Sequence, residues 1–213
     1  MSKILIELAR IQDFFDLQEE CERITQIQRR KQAIYQYRNQ FLTEYLGSNI
    51  KNEAIDCTEH GKPYLSNYPH FYFNHSHSQK HYALATSTQV KDLGIDIEDL
   101  DRQVKFEALA KHAFHPQEWM NWQDLEFDPI YWFKVWTTKE AVLKASGLGI
   151  RMSLKDLNTQ VHPSHHGGVL EHPELGVFAF QNIQLAQVMM TVAWRSERSC
   201  KGFNWPEIQV NQH

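Results

Sequence analysis

Apolar residues at Ile24, Ile27, Ala33, Ile34, Tyr37, Phe41, Leu42 and Tyr45 recur at helical spacing. They predict a long helix over residues 17–46, closed by Gly47. Before it, KILIEL at residues 3–8 reads as a short strand. The turn formers of TEHGKPYLSNYP (58–69) mark a loop, followed by strand-like runs at 70–78, 81–88 and 93–100. From about Val104 the period becomes helical, over 104–114. His115-Pro116 breaks that helix, and Pro116 suits the first turn of the next one, 117–125. Asp128-Pro129 is a second break, ahead of a helix from about Ile130 to Ser146 that Gly147 stops. Strand-like pieces at 150–154, 176–183 and 187–195 follow, with a loop at 160–174 and a polar, loose tail from Ser196. Strands and helices mix in both halves. The order therefore predicts an α+β fold with two lobes of similar size, residues 1–100 and 101–213.

Composition narrows the function classes. At 42% hydrophobic and 23% charged residues the chain has the make-up of a soluble globular protein. A net charge of −4 argues against a general nucleic-acid binder, though a local basic patch can still hold a small anion. Three widely spaced cysteines, Cys21, Cys57 and Cys200, give neither a disulfide framework nor a zinc motif, which favours a reducing cytoplasm. The first fifteen residues lack the pattern of a secretory signal, and no apolar run has the length of a membrane span. The histidines around His162, His165 and His166 read as a polar loop.

Five groups of residues carry candidate chemistry. In GIDIE (94–98), strand alternation points Asp96 and Glu98 one way and Ile95 and Ile97 the other. Two adjacent carboxylates repel unless a cation or proton stands between them, so they read either as a Mg²⁺ site or as solvated acids. In KVWTTKEAVLKASGLGI (134–150), Trp136, Glu140 and Lys144 share a helix face, as a catalytic group or as a surface salt bridge. Lys139 lies about 100° round that helix, as a phosphate contact or a surface lysine. In FNHSHS (73–78), Ser76 and His77 suit a phosphate contact or a polar turn. As strand neighbours they face apart, which makes them a poor nucleophile and base. GKPYL (61–65) offers a cation on a stiff loop but lacks the pattern of a P-loop. Arg29, Arg30, Lys31 and Arg38 form a basic cluster that either meets a phosphate or is solvated.

Taken in order, GKP (61–63), NHSHS (74–78), GIDIE (94–98) and WTTKEAVLKASGLG (136–149) resemble the 4′-phosphopantetheinyl transferases, of the larger type like the surfactin-synthetase activating enzyme. The resemblance covers residues 20 to 155 well and the last fifty only in general strand character. It implies two α+β lobes related by a pseudo-two-fold axis, with coenzyme A between them. It implies transfer of the phosphopantetheine arm to a serine of an apo acyl or peptidyl carrier protein, with Mg²⁺, releasing 3′,5′-ADP. Asp96, Glu98 and Glu140 match the metal-binding acids, and Lys144 matches the pyrophosphate contact. Ser76 and His77 match residues at the 3′-phosphate, Lys62 and Pro63 the loop beside the adenine, and Arg38 an N-terminal 3′-phosphate arginine. The Arg29–Lys31 cluster fits the pattern less well. Asp96, Glu140 and Lys144 would then be catalytic, with Glu140 or a metal-bound water as the base. The expected state is a monomer with neither nucleic-acid nor membrane partner.

Two rivals remain at this level: a non-catalytic coenzyme A or nucleotide-binding module, and a metal-dependent nuclease. The aromatic segment 112–122 is either a carrier-docking patch or core packing.

Overall fold

A computed structural model describes residues 2–16, 23–149, 152–196 and 205–213. Its elements run β1 (Lys3–Arg10), α1 (Arg23–Leu46), β2 (Asp56–Cys57), β3 (Pro63–Tyr64), β4 (Tyr72–His77), β5 (His81–Ser87), β6 (Leu93–Asp99), α2 (Phe106–Ala113), α3 (Pro116–Asp124), α4 (Pro129–Ser146), β7 (Gly167–His172), β8 (Gly176–Leu185), β9 (Val188–Arg195) and β10 (Glu207–Gln212).

Two four-stranded sheets, β10-β1-β5-β4 and β6-β9-β8-β7, face each other, and a β2-β3 pair stands apart. Ile4, Ile6 and Leu8 of β1 and Ala83 and Ala85 of β5 meet Ile95 and Ile97 of β6 and Met190 and Val192 of β9 in a shared core. The alternate residues Tyr82 and Leu84 turn outward to Ile34, Phe41 and Leu42 of α1. On the other side Phe178, Phe180 and Met189 pack against the helices α2 to α4. The layers are thus helix, sheet, sheet, helix, with period-2 alternation feeding two apolar interfaces at once.

The two sheets share a plan. β1 pairs antiparallel with β5, and β5 with β4; β6 pairs antiparallel with β9, and β9 with β8. In each case the strand is followed by helix, α1 alone in the first and α2 to α4 in the second, and a hairpin then returns beside that first strand. The seam does not follow residue 100 strand for strand, since β6 lies in the second sheet and β10 in the first.

Three expectations change. The region 160–174 contains β7, paired among the described residues only with β8, whose GGVLEH sequence has no apolar run to announce it. The tail contains β10, parallel to β1, with Ile208 and Val210 on the shared core. In the expected strand 150–154, residues 150 and 151 lie outside the described ones. The rest is not strand but runs into a turn, where Met152 and Leu154 pack on the helix-side core. Residues 17–22 of the first predicted helix also lie outside the described set.

The helix that matters most is sharply bounded. Asp128 caps α4 by accepting from Ile130 N at 3.1 Å and Tyr131 N at 3.0 Å, and Pro129 opens its first turn. Gly147 closes it at φ 75°, a left-handed conformation suited to glycine.

Candidate active site

Gly94 brings α4 onto β6. A Cβ at that position would stand 2.1 Å from Ala141 O and 2.4 Å from Ala145 N, so only glycine admits the helix backbone this close. Asp96 and Glu98 follow on the same face and meet the helix side chains. Lys144 Nζ donates to Asp96 Oδ1 at 2.7 Å and to Ser76 Oγ at 2.8 Å, and Ser76 Oγ donates to Asp96 Oδ1 at 2.9 Å. This triangle joins β4, β6 and α4. One strand pleat on, Glu98 Oε1 accepts from Trp136 Nε1 at 3.2 Å and Arg102 Nη1 at 2.6 Å. Lys144 therefore pairs with Asp96, and the i, i+4 salt bridge to Glu140 is not formed. Burial, and then the Asp96 charge, push the Glu140 carboxyl up. Glu98 is also pushed up, by burial first and by Asp96 in smaller part.

Beside the triangle lies a cleft of about 310 Å³. Lys62 and Pro63 stand on one wall, Asn74 and His75 of β4 on another, and Glu140 and Lys144 along α4. Lys62 Nζ donates to Ala145 O at 2.7 Å, tying the GKP loop to the last turn of α4, and its burial pulls the ammonium down to about 8. His77 is exposed at the end of β4, with its ring pushed down by partial burial. Of the basic residues on α1, Arg30 reaches this end. Its Nη2 donates to Ser78 O at 2.8 Å and Gln79 O at 2.9 Å. Arg38 lies two turns on, only 4% exposed, over the Tyr35 ring at 4.7 Å. Its guanidinium donates to Asn39 Oδ1 and Asn52 Oδ1, and no described carboxylate pairs with it.

The model of the 4′-phosphopantetheinyl transferase superfamily matches residues 92–192. A stretch of 125 residues is 35% identical to 4′-phosphopantetheinyl transferase HetI of Nostoc sp., covering 56% of this chain and 52% of that one. A 4′-phosphopantetheinyl transferase of Bacillus subtilis is 31% identical over 117 residues, 53% of this chain and 50% of that one. The L-aminoadipate-semialdehyde dehydrogenase-phosphopantetheinyl transferase of Xenopus laevis is 30% identical over 122 residues, 51% and 40% of the two chains. Over these residues the chain is similar to the 4′-phosphopantetheinyl transferase superfamily. The matches span about half the length, or less, of these relatives. The region matched by the superfamily model holds Asp96, Glu98, Glu140 and Lys144, whereas Arg38, Lys62, Pro63, Ser76 and His77 precede it.

The acids of this site fit a hard divalent cation in charge. Asp96 Oδ2 is buried without a hydrogen-bond partner among the described residues, and burial and then Asp96 raise both other carboxyls. As the side chains stand, no three His, Cys, Asp or Glu among the described residues are grouped closely enough to hold a metal ion. Lys144 takes one Asp96 oxygen, and Arg102 with Trp136 takes Glu98.

Lys139 corrects a sequence expectation, being neither a phosphate contact nor a surface lysine. Its ammonium meets Glu118 Oε2 at 2.8 Å, with both side chains 1% exposed, and donates to Leu154 O at 2.8 Å and to Leu157 O. Glu118 also accepts from His115 N, Thr159 N and Thr159 Oγ1. Around Glu118 the 112–122 segment is split, with Ala113, Phe114 and Trp122 in the core and His112, Pro116, Gln117 and Met120 exposed. Asn74 is a group that sequence reasoning left without a role. Its Oδ1 accepts from Ile95 N at 2.9 Å and locks β4 to β6 across the seam. Asp99 is another, gathering Ser78 Oγ at 2.7 Å, Lys80 N at 2.9 Å and His81 Nδ1 at 2.6 Å. Both lie in stretches the motifs pass through, but neither partner is near in sequence.

Proposed function

We propose that this protein moves the 4′-phosphopantetheine arm of coenzyme A onto a serine of an apo acyl or peptidyl carrier protein and releases 3′,5′-ADP. The observation that carries this reading is the Ser76–Asp96–Lys144 triangle, with Glu98 and Glu140 beside it, at the junction of three elements. It sets a cation and a set of crowded acids against an open cleft. Asp96, Glu98 and Glu140 would hold Mg²⁺, which when bound supplies charge stabilisation at the pyrophosphate. Lys144 then contacts the pyrophosphate, and Lys62 and Pro63 flank the adenine. Glu140, whose carboxyl is already raised, suits the removal of a proton from the attacking serine hydroxyl. Buried and without an acid partner among the described residues, Arg38 suits the 3′-phosphate, and Arg30 joins Ser76 and His77 at that end. The matching strand orders of the two sheets support lobes related by a pseudo-two-fold axis. A monomer in the cytoplasm completes the reading. No described helix is long and apolar enough to cross a membrane.

The test is mass spectrometry of an apo carrier protein after incubation with coenzyme A, Mg²⁺ and this protein. The expected product carries the added mass of one phosphopantetheine arm at its serine. An unmodified carrier across a panel of acyl and peptidyl carriers would overturn the proposal.

A further inference from the structure

Seven buried side-chain nitrogen or oxygen atoms among the described residues have no hydrogen-bond partner in the protein, and five of them surround β4. Asp96 Oδ2 belongs to the carboxylate that binds Ser76, and Arg30 Nε to the side chain bonded just past the strand's end. Tyr82 OH lies on the neighbouring strand, and His75 Nδ1 and His60 Nδ1 line the cleft. A buried polar atom left unpaired carries an uncompensated desolvation cost, and native proteins leave few of them. A cluster along one strand therefore marks a place shaped for outside partners.

His75 is the member of that cluster with the clearest setting. It is the second residue of the NHSHS stretch and has no role in the proposed reaction. Its ring packs edge-on to Tyr35 at 6.2 Å and against Tyr82 at 5.9 Å, which fixes its orientation. The same Tyr35 ring carries the Arg38 guanidinium. Strand alternation puts His75 on the face of His77, one pleat away. Burial, and then the charges of Arg38, Lys144 and His77, push its ring down to about 3, so it stays neutral and keeps one N–H to donate.

We infer that His75 is a ligand-binding residue that donates a ring N–H to a phosphate oxygen held beside Arg38. This rests on the coenzyme A reading. The group is then the 3′-phosphate, because His75 shares the Tyr35 ring with Arg38 and the strand face with His77.

Titration calorimetry with coenzyme A and with 3′-dephospho-coenzyme A, without carrier, tests it on the full chain. His75→Phe keeps a ring against Tyr35 and Tyr82 and removes both nitrogens. It is expected to raise the Kd for coenzyme A about tenfold, a loss of about 1.4 kcal/mol, and to leave that for the dephospho ligand unchanged. His75→Asn, which retains a short donor, recovers most of the affinity. Equal coenzyme A affinity in wild type and His75→Phe would overturn the inference. So would an equal loss for both ligands, which places the effect away from the 3′-phosphate. If the wild-type protein binds neither ligand, the coenzyme A reading itself fails.

Discussion

Lys139 and Lys144 lie five residues apart on α4 and have different surroundings. Lys139 is sealed in a pair with Glu118, while Lys144 is 29% exposed and bridges Asp96 and Ser76 at the cleft. The difference predicts different losses. Removing one member of a buried pair leaves the other charge stranded, so Lys139→Met is expected to destabilise the protein by about 3–5 kcal/mol. Denaturant unfolding at neutral pH measures this, and a change near zero would mean the pair is not buried in solution. Lys144→Met is expected to leave stability within about 1 kcal/mol of wild type, as a partly exposed pair implies. It should cut the rate of carrier modification by about 100-fold or more, the scale of a lost transition-state charge contact. Asp96→Ala and Glu140→Ala should each abolish modification while circular dichroism stays native. Full activity in both would remove the acids from the site.

At the scale of elements, the contact between α4 and β6 sets the site. Gly94 allows it, and Thr137 and Thr138 support it through hydrogen bonds to Thr191 Oγ1 at 2.7 Å and from Asn182 Nδ2 at 2.9 Å. A methyl at Gly94 meets helix backbone, which has no rotamer to escape into. Gly94→Ala is expected to cost about 3 kcal/mol, the upper range of overpacking, and to lower activity by moving Glu140 and Lys144 off Asp96. Melting temperature and carrier-modification rate, measured together, check both halves. A variant with wild-type values for both would show that α4 and β6 do not pack through this residue. The GIDIE pattern makes Gly94 visible in the sequence, but its reason is a helix some forty-seven residues away in the chain.

Across the whole molecule, β10 runs back to the first sheet from the far end of the chain. Trp205 packs on Trp194 of the second sheet, and Asn211 and His213 reach Glu7 of the first, at 2.9 Å and 2.5 Å. Burial alone would lift the Glu7 carboxyl, but hydrogen bonds from Tyr45, His213 and Asn211 outweigh it and hold the group below 4.5. A carboxyl depressed on folding contributes stability above its unfolded pKa and loses it as pH falls through the folded value. Glu7→Gln is therefore expected to cost about 1–3 kcal/mol at pH 7 and progressively less below pH 4.5. Unfolding curves at pH 7 and pH 3 provide the comparison, and a loss that grows on acidification would contradict the assignment.

Local order is largely legible in the residues themselves. Period-2 alternation places Asp96 and Glu98 on one face of β6, and 3.6-residue spacing places Trp136, Glu140 and Lys144 on one face of α4. Asp128-Pro129 and Gly147 mark the ends of that helix. These features depend on neighbours a few residues away, so sequence alone determines them. Partnership depends on packing between distant segments, and only the tertiary structure decided it. It sent Lys144 to Asp96 instead of Glu140, buried Lys139 against Glu118, brought Arg30 to the end of β4 and left Arg38 without an acid among the described residues. It also made strands of β7 and β10. Weak apolar patterns become strands when an existing sheet edge offers hydrogen bonds to take up, and that edge is formed by other parts of the chain.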